Sequence, residues 1–292
     1  MFVRILGIIL PVFLIVAIGY GYGRRARPDM RAFNRIVLDV LVPLLVFSAL
    51  ASKDFDLIAN RALLVGSIVV VLGSGLLAWP VCLLIGEDPK TFVPPMMFNN
   101  CGNMGLPLSV LAFGAAGLGP AVALFIVSNL LHFTLGARIV SPQASMWAVF
   151  RSPIVLATVI GTIFALLHVP VPSEIMLTVK LMGDATIPLM LFSLGVRLLS
   201  IDLRGWALGL VAAVVCPVGG LLAAWLIAPW LGLNATQYGL LMLFASLPPA
   251  VLNFLVAEQY QQEPEKVASI VLFGNLGALV FVPIGLAAGL PS

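Results

Sequence analysis

Residues 62–85, "ALLVGSIVVVLGSGLLAWPVCLLI", run for two dozen positions without a single Asp, Glu, Lys, Arg or His. A helix of that length rises about 36 Å, more than the ~30 Å hydrocarbon core of a bilayer. Comparable runs recur along the chain and leave too little polar surface to face water. Only 9% of the 292 residues are charged and 61% are hydrophobic, against roughly 25% charged in soluble domains. The sequence therefore predicts an all-α integral membrane protein, since a helix satisfies its own backbone hydrogen bonds in lipid. A net charge of +3 is too small to suggest a nucleic-acid surface.

Breaks at charges, prolines and glycines divide the chain into ten candidate spans, near 4–22, 33–50, 62–85, 92–113, 118–137, 152–168, 175–196, 205–229, 236–259 and 267–289. The connections are short, so no soluble domain is inserted. The first run is read as a retained span: its arginines follow it in "YGRRARPDMR", and no A-x-A cleavage site appears. Loops after odd spans hold Arg24, Arg25, Arg27, Arg31, Arg35, Lys90, Arg138, Arg151, Arg197, Arg204 and Lys266; the other side holds Arg4, Lys53, Arg61 and Lys180. Eleven against four predicts that the odd loops are cytoplasmic and both termini outside, in the cell inner (plasma) membrane.

An internal repeat sharpens this picture. "LDVLVPLLVFSAL" (38–50) returns as "GDATIPLMLFSLG" (183–195), so that Asp39, Pro43, Leu44, Phe47 and Ser48 match Asp184, Pro188, Leu189, Phe192 and Ser193. Asn129 in "VSNLL" and Asn275 in "FGNLG" keep nearly the same offset. Five spans per repeat is an odd number, so residues 1–145 and 146–292 are predicted to enter the membrane in opposite directions. That inverted-repeat architecture is the one secondary transporters use.

Span 4 is interrupted by "NNCGNMGLPLS" (99–109) and span 9 by "LFASLPPAVLNFL" (243–255). A break inside the bilayer strands backbone N–H and C=O groups, which is tolerated only inside protein or beside a wet cavity. Asn99, Asn100 and Asn103 are expected to satisfy those groups and to face a solute, with Ser246 and Asn253 doing so in span 9. Gly102 and Gly105 are expected to let the chain turn and its partner approach. Pro107, Pro248 and Pro249 suit the first turn of a second half-helix, where a missing N–H costs nothing. Two half-helix N-termini meeting near the midplane would favour an anion. A plainer reading makes the asparagines helix-packing hydrogen bonders, and interhelical ties explain Asn129 and Asn275 equally well.

Asp39 and Asp184 each stand four residues before a proline. An ionisable side chain within a span is a functional hypothesis by default, and both are read as gating or structural groups ahead of proton carriers. Arg35 is a ready partner for Asp39. Cys82, Cys101 and Cys216 read as small buried side chains, and His132 and His168 as packing or interfacial residues. No metal site and no cofactor is predicted. Nor is an enzyme, since the chain has no Gly-x-Ser-x-Gly, no His-Glu-x-x-His and no local pair of intramembrane aspartates. A channel would need rings of like groups along a pore, whereas the polar residues cluster at one locus.

At "VLDVLVPLLVFSAL", "NNCGNMGLPLS" and "SLPPAVLNFLVAEQYQQEPEKVASIVLFGNL" the chain resembles the auxin efflux carrier family, which includes bacterial malonate or malate permease-like proteins. The resemblance covers the whole chain, with Asn100 and Pro248 matching the family's crossover asparagine and proline; the long loop of many plant members is absent. It implies a scaffold of spans 1, 2, 6 and 7 and a moving domain of spans 3–5 and 8–10, carrying organic anions by an elevator-type shift. A sodium-coupled carrier like the bile-acid symporters is the alternative, and an anion channel a weaker one. No Arg or Lys is expected at the crossover, so dipoles and amides would hold the substrate, a small carboxylate. A coupling ion, proton or sodium, and a homodimer are left open; Asn129, Asn275, Ser128 and Glu258 offer some of the oxygens sodium would need.

Overall fold

The computed structural model describes residues 2–52, 56, 58–144, 151–167, 169–200 and 205–290. Lys53, His168 and Arg204 and the expected boundary between the two halves lie outside the described residues. The chain is helical throughout, and among the described residues the sole β-type pairing is an isolated antiparallel bridge between Asn99 and Pro249. Among the described residues, seven helical segments are long and apolar enough to cross a membrane: Phe2–Ala26, Arg31–Leu50, Arg61–Ile85, Ala115–Val140, Ser173–Arg197, Trp206–Leu231 and Pro264–Gly289. Three shorter apolar helices, Cys101–Phe113, Pro153–Leu167 and Ala235–Ala245, accompany them.

In chain order the helices are α1 (Phe2–Ala26), α2 (Arg31–Ile36), α3 (Val42–Leu50), α4 (Arg61–Ile85), α5 (Pro89–Met97), α6 (Leu106–Phe113), α7 (Leu118–Leu131), α8 (Ala137–Val140), α9 (Pro153–Leu167), α10 (Ser173–Asp184), α11 (Thr186–Arg197), α12 (Trp206–Leu231), α13 (Ala235–Ala245), α14 (Val251–Tyr260) and α15 (Pro264–Gly289). Three irregularities share one cause. A proline inside a helix has no N–H for the carbonyl four residues back, and its ring crowds that carbonyl. Pro43 thus frees the Asp39 carbonyl, and the turn Val37–Leu41 between α2 and α3 widens to a π-helix. Pro107 does the same to Asn103, and Cys101–Gly105 is a π-turn leading into α6. Pro188 frees the Asp184 carbonyl, and the chain breaks at Ala185 between α10 and α11.

Packing sorts the helices into two groups. In the first, α1 lies along α11, and α3 packs on α9 and α10. The α1–α11 seam is close enough to require glycine. A Cβ on Gly195 would fall 2.0 Å from the Val16 carbonyl oxygen, and one on Gly19 would fall 2.1 Å from that of Phe192. Small residues of this kind let helices touch backbone to backbone where lipid offers no hydrophobic drive. In the second group, α12 packs on α15, α4 and α13, and α4 also carries α5. Helix α7 touches both groups, through α3 on one side and α4 and α6 on the other.

A polar clasp joins the α4–α5 connection to the α14–α15 connection. Thr91 Oγ1 donates to Glu263 Oε2 at 2.6 Å, and Gln262 Nε2 donates to Asp88 Oδ2 and Thr91 Oγ1, both at 3.0 Å. Lys266 Nζ reaches Glu87 at 2.8 Å and Glu263 at 2.7 Å. Hydrogen bonds from Lys266 and then Thr91 hold the Glu263 carboxyl below the usual carboxylate range. A depressed folded-state value means that this carboxylate stabilises the fold above its unfolded pKa and stops doing so as pH falls through the folded value. The difference in thermal midpoint between wild type and Glu263→Gln is therefore expected to be present at pH 7 and to close in acid below pH ~4. A difference that persists unchanged in acid would contradict the ionic reading of the clasp.

Candidate functional site

The two helix interruptions meet. Helix α5 ends at Met97, and Phe98 is extended, with φ −106° and ψ 98°. Helix α13 ends at Ala245, and α14 begins only after Ala250, also extended at φ −67° and ψ 142°. The two links cross in opposite directions. The Asn100 N–H donates to the Pro248 carbonyl at 2.7 Å, and the Ala250 N–H donates to the Phe98 carbonyl at 2.9 Å. Pro248 and Pro249 sit in the link itself, not in the first turn of α14 as the sequence suggested. Their role there is still readable: a proline in an extended apolar link leaves no N–H to satisfy.

Side-chain amides close most of the remaining backbone account. Asn99 Nδ2 donates to the Phe244 carbonyl at 3.0 Å, and Asn253 Nδ2 to the carbonyls of Phe98 (2.9 Å) and Ala250 (3.0 Å). Asn275 Nδ2, on α15, donates to the carbonyls of Pro249 (3.2 Å) and Val271 (2.7 Å). Its oxygen accepts from Asn100 Nδ2 at 3.1 Å. Ser246 is buried and returns its hydroxyl to Leu243. Gly105 stands where a Cβ would press on Leu247 and Phe244 at 3.0 and 3.1 Å, so it serves close approach. Neither Gly102 nor Gly105 has a positive φ, so the turning freedom expected of them is not used.

Beside the crossing lies a cavity of about 280 Å³, lined by Asn99, Asn100, Gly102 and Asn103 from the first link and its π-turn. Asn34 and Asp39 face it from the α2 side, Ser128 and Asn129 from α7, and Ser193 and Arg197 from α11. Phe125, Phe133, Met190 and Leu252 supply apolar wall. The volume is at the small end of ligand pockets, roughly 300–1,000 Å³.

Counting hydrogens shows what this wall can offer. An asparagine amide carries two N–H donors. Asn253 and Asn275 spend both on carbonyls, so neither has a donor left for a solute. Asn103 makes no side-chain hydrogen bond among the described residues. Asn34 uses only its oxygen, which accepts from Ser193 Oγ at 2.7 Å. Asn100 and Asn129 spend one N–H each, the latter on the Phe125 carbonyl at 2.9 Å. At the start of the π-turn the N–H groups of Gly102 and Asn103 precede any helical acceptor, as first-turn donors do. The wall is thus rich in donors, and it carries one guanidinium, Arg197, and one carboxylate, Asp39.

Of the residues singled out from sequence, the cavity brings together Asn99, Asn100, Gly102, Asn103, Asp39 and Asn129. Gly105, Pro107, Ser246, Pro248, Pro249, Asn253, Asn275 and Asp184 do not line it. The repeat-matched acids differ: Asp39 is on the cavity with Arg35 3.9 Å away, whereas Asp184 pairs with Lys180 at 3.0 Å elsewhere. The break falls at Asn100, and Asn103 follows it in the π-turn. Arg197 overturns the expectation that no Arg or Lys stands here; the sequence counted it among loop charges. Asn34 and Ser193 were also passed over as candidate contacts, although Ser193 is a repeat match of Ser48; Ser128 was singled out only as an oxygen for sodium. His132 is buried and stacks on Phe98, ring centroids 4.3 Å apart and 4° from parallel, which fits the packing role read for it. Cys82, Cys101 and Cys216 are buried free thiols, Cys216 donating to Asn99 Oδ1 at 3.3 Å.

Comparison with known proteins fixes the family. The family model described as membrane transport protein matches residues 4–146 and 142–286. The chain belongs to this family. Among its relatives, this membrane transport protein is 23% identical to the uncharacterized transporter YfdV of Escherichia coli over 96% of each chain. It is 23% identical to a Rhizobium meliloti protein provisionally named a malonate transporter, over 94% of this chain and 92% of the other. Auxin efflux carrier component 8 of Arabidopsis thaliana is 30% identical over 44% of this chain and 37% of its own length. The resemblance to auxin efflux carriers read from the three motifs agrees with these relatives, and the chain is a transporter, not an enzyme.

Proposed function

We propose that this membrane transport protein is a secondary active carrier of a small organic anion, a carboxylate, bound in the cavity beside the crossing of the two links. The observation that carries the reading is the donor set of that cavity. Uncommitted amide N–H groups from Asn103, Asn34 and Asn100, first-turn backbone N–H groups and the Arg197 guanidinium share one wall. Donors of this kind match a carboxylate, and Arg197 places a guanidinium on the same wall. The Rhizobium meliloti relative's name points to the same substrate class.

The ten-span inverted repeat belongs to the same proposal. Counting α9 and the two interrupted segments as spans gives ten, and their pairings come in exchanged sets. Span 1 packs on span 7 as span 6 packs on span 2, and span 3 packs on span 4 as span 8 packs on span 9. A two-fold exchange of halves 1–145 and 146–292 produces those sets. The first packing group (spans 1, 2, 6 and 7) is then the scaffold, and spans 3–5 and 8–10 form the moving domain of an elevator. The arginine count favours the inner membrane with both termini outside. A sodium-coupled, bile-acid-symporter-like carrier is the nearest alternative; Glu258, one of its suggested ligands, is exposed and off the cavity wall.

A panel of mono- and dicarboxylates on the purified protein, with and without sodium, tests the substrate class. At least one carboxylate is expected to raise the thermal midpoint in proportion to log concentration, as binding to the folded state requires. Stabilisation by neutral or cationic solutes alone would contradict an anion site.

A further inference from the structure

Five of the chain's fifteen Lys and Arg residues fall within the twelve positions 24–35, "RRARPDMRAFNR". Arg24 and Arg25 end α1, Arg27 makes the reversal with a left-handed φ of 45°, and Arg31 and Arg35 follow on α2. All five are exposed. The acid among them, Asp29, is engaged by Arg31 at 2.9 Å, and Arg35 stands 3.9 Å from Asp39. Among the described residues, that leaves Arg24, Arg25 and Arg27 without an acid at one end of a spanning helix. Tyr20 and Tyr22, 41% and 50% exposed on the last turns of α1, sit where aromatic side chains mark the membrane–water boundary.

We infer that this turn binds the phosphate of an anionic phospholipid headgroup. Guanidinium forks match phosphate oxygens two at a time, and a clustered basic turn against a membrane end is drawn to acidic lipid, with each arginine worth roughly fivefold in partition. The site has a direct route to the cavity. Helix α2 runs without interruption into the π-turn Val37–Leu41, and Asn34, Val37, Leu38 and Asp39 line the cavity wall. A headgroup held at Arg27, just ahead of α2, would therefore restrain the segment that presents Asn34 and Asp39.

The test is native mass spectrometry of the intact protein released from nanodiscs of mixed phosphatidylethanolamine and phosphatidylglycerol. Wild type is expected to retain phosphatidylglycerol in excess of its bulk fraction. The triple variant Arg24→Gln/Arg25→Gln/Arg27→Gln should lose that excess, while the corresponding Lys variant keeps most of it. Because the Gln variant bears on topology as well, the wild-type measurement stands by itself: retention in proportion to bulk composition overturns the site. Equal retention by a correctly oriented Gln variant overturns it too. Displacement of the retained lipid by low millimolar inorganic phosphate would overturn the assignment to a lipid and leave a free-anion site.

Discussion

Arg197→Gln is expected to weaken carboxylate binding by ~10–100-fold, the loss of a hydrogen bond to a charged group at about 1.5–3 kcal/mol. The change keeps a polar amide but shortens the side chain and removes its charge, so the loss reports on the whole guanidinium. Arg197→Lys should recover part of the affinity, because an ammonium restores the charge but not the two-pronged fork. Isothermal titration of the best carboxylate against the three proteins measures this directly. Unchanged affinity in Arg197→Gln would mean that the substrate lies beyond the reach of α11 and that the amides hold it alone. Arg197 terminates α11 and lines the cavity together with Asn103, so the two variants also allow a double-mutant cycle.

Asn103→Ala and Asn100→Ala are expected to fail in different ways. Asn103 has no side-chain bond to the protein among the described residues, so its removal should cost binding by ~10–100-fold with little change in thermal midpoint. Asn100 is buried, and its amide donates to Asn275 Oδ1, which has no other donor among the described residues. Truncating it leaves that oxygen orphaned at a cost of about 1–3 kcal/mol in stability, with weaker binding following from the loosened crossing. Thermal melts and titrations on both variants separate the effects. Equal destabilisation by both would make Asn103 another clamp and remove it from the proposed contact set.

The apolar runs, the two interruptions and the matched Asp–Pro pairs were legible because each is a local property of the sequence. A proline dictates the carbonyl it abandons, so the irregular turns at Asp39 and Asp184 follow from the residue type. The partners of the amides were not legible. Whether Asn253 faces a solute or the Phe98 carbonyl depends on the crossing of segments some 150 residues apart. Asn275 likewise looked like a coupling or packing group, and only its position across from Asn100 and Pro249 gives it both ends of the crossing to hold. Arg197 was missed because a charge at the end of an apolar run looks like every other loop charge. The cue that separates it is three-dimensional: the last turn of α11 bends over the same cavity as the first link. The acids show the converse limit, since sequence repetition made Asp39 and Asp184 equivalent while only Asp39 borders the cavity.

Counterflow in proteoliposomes tests the central claim most directly. Vesicles loaded with an excess of the carboxylate found by the binding panel are diluted into a trace of the same compound, radiolabelled. A carrier that binds one anion in a closed, alternately exposed cavity is predicted to accumulate label transiently, with saturation as the external concentration rises, and Arg197→Gln should abolish the overshoot at the same trace concentration. Label that only equilibrates, without overshoot or saturation and with an ohmic anion current, would contradict the carrier mechanism and leave a channel in its place.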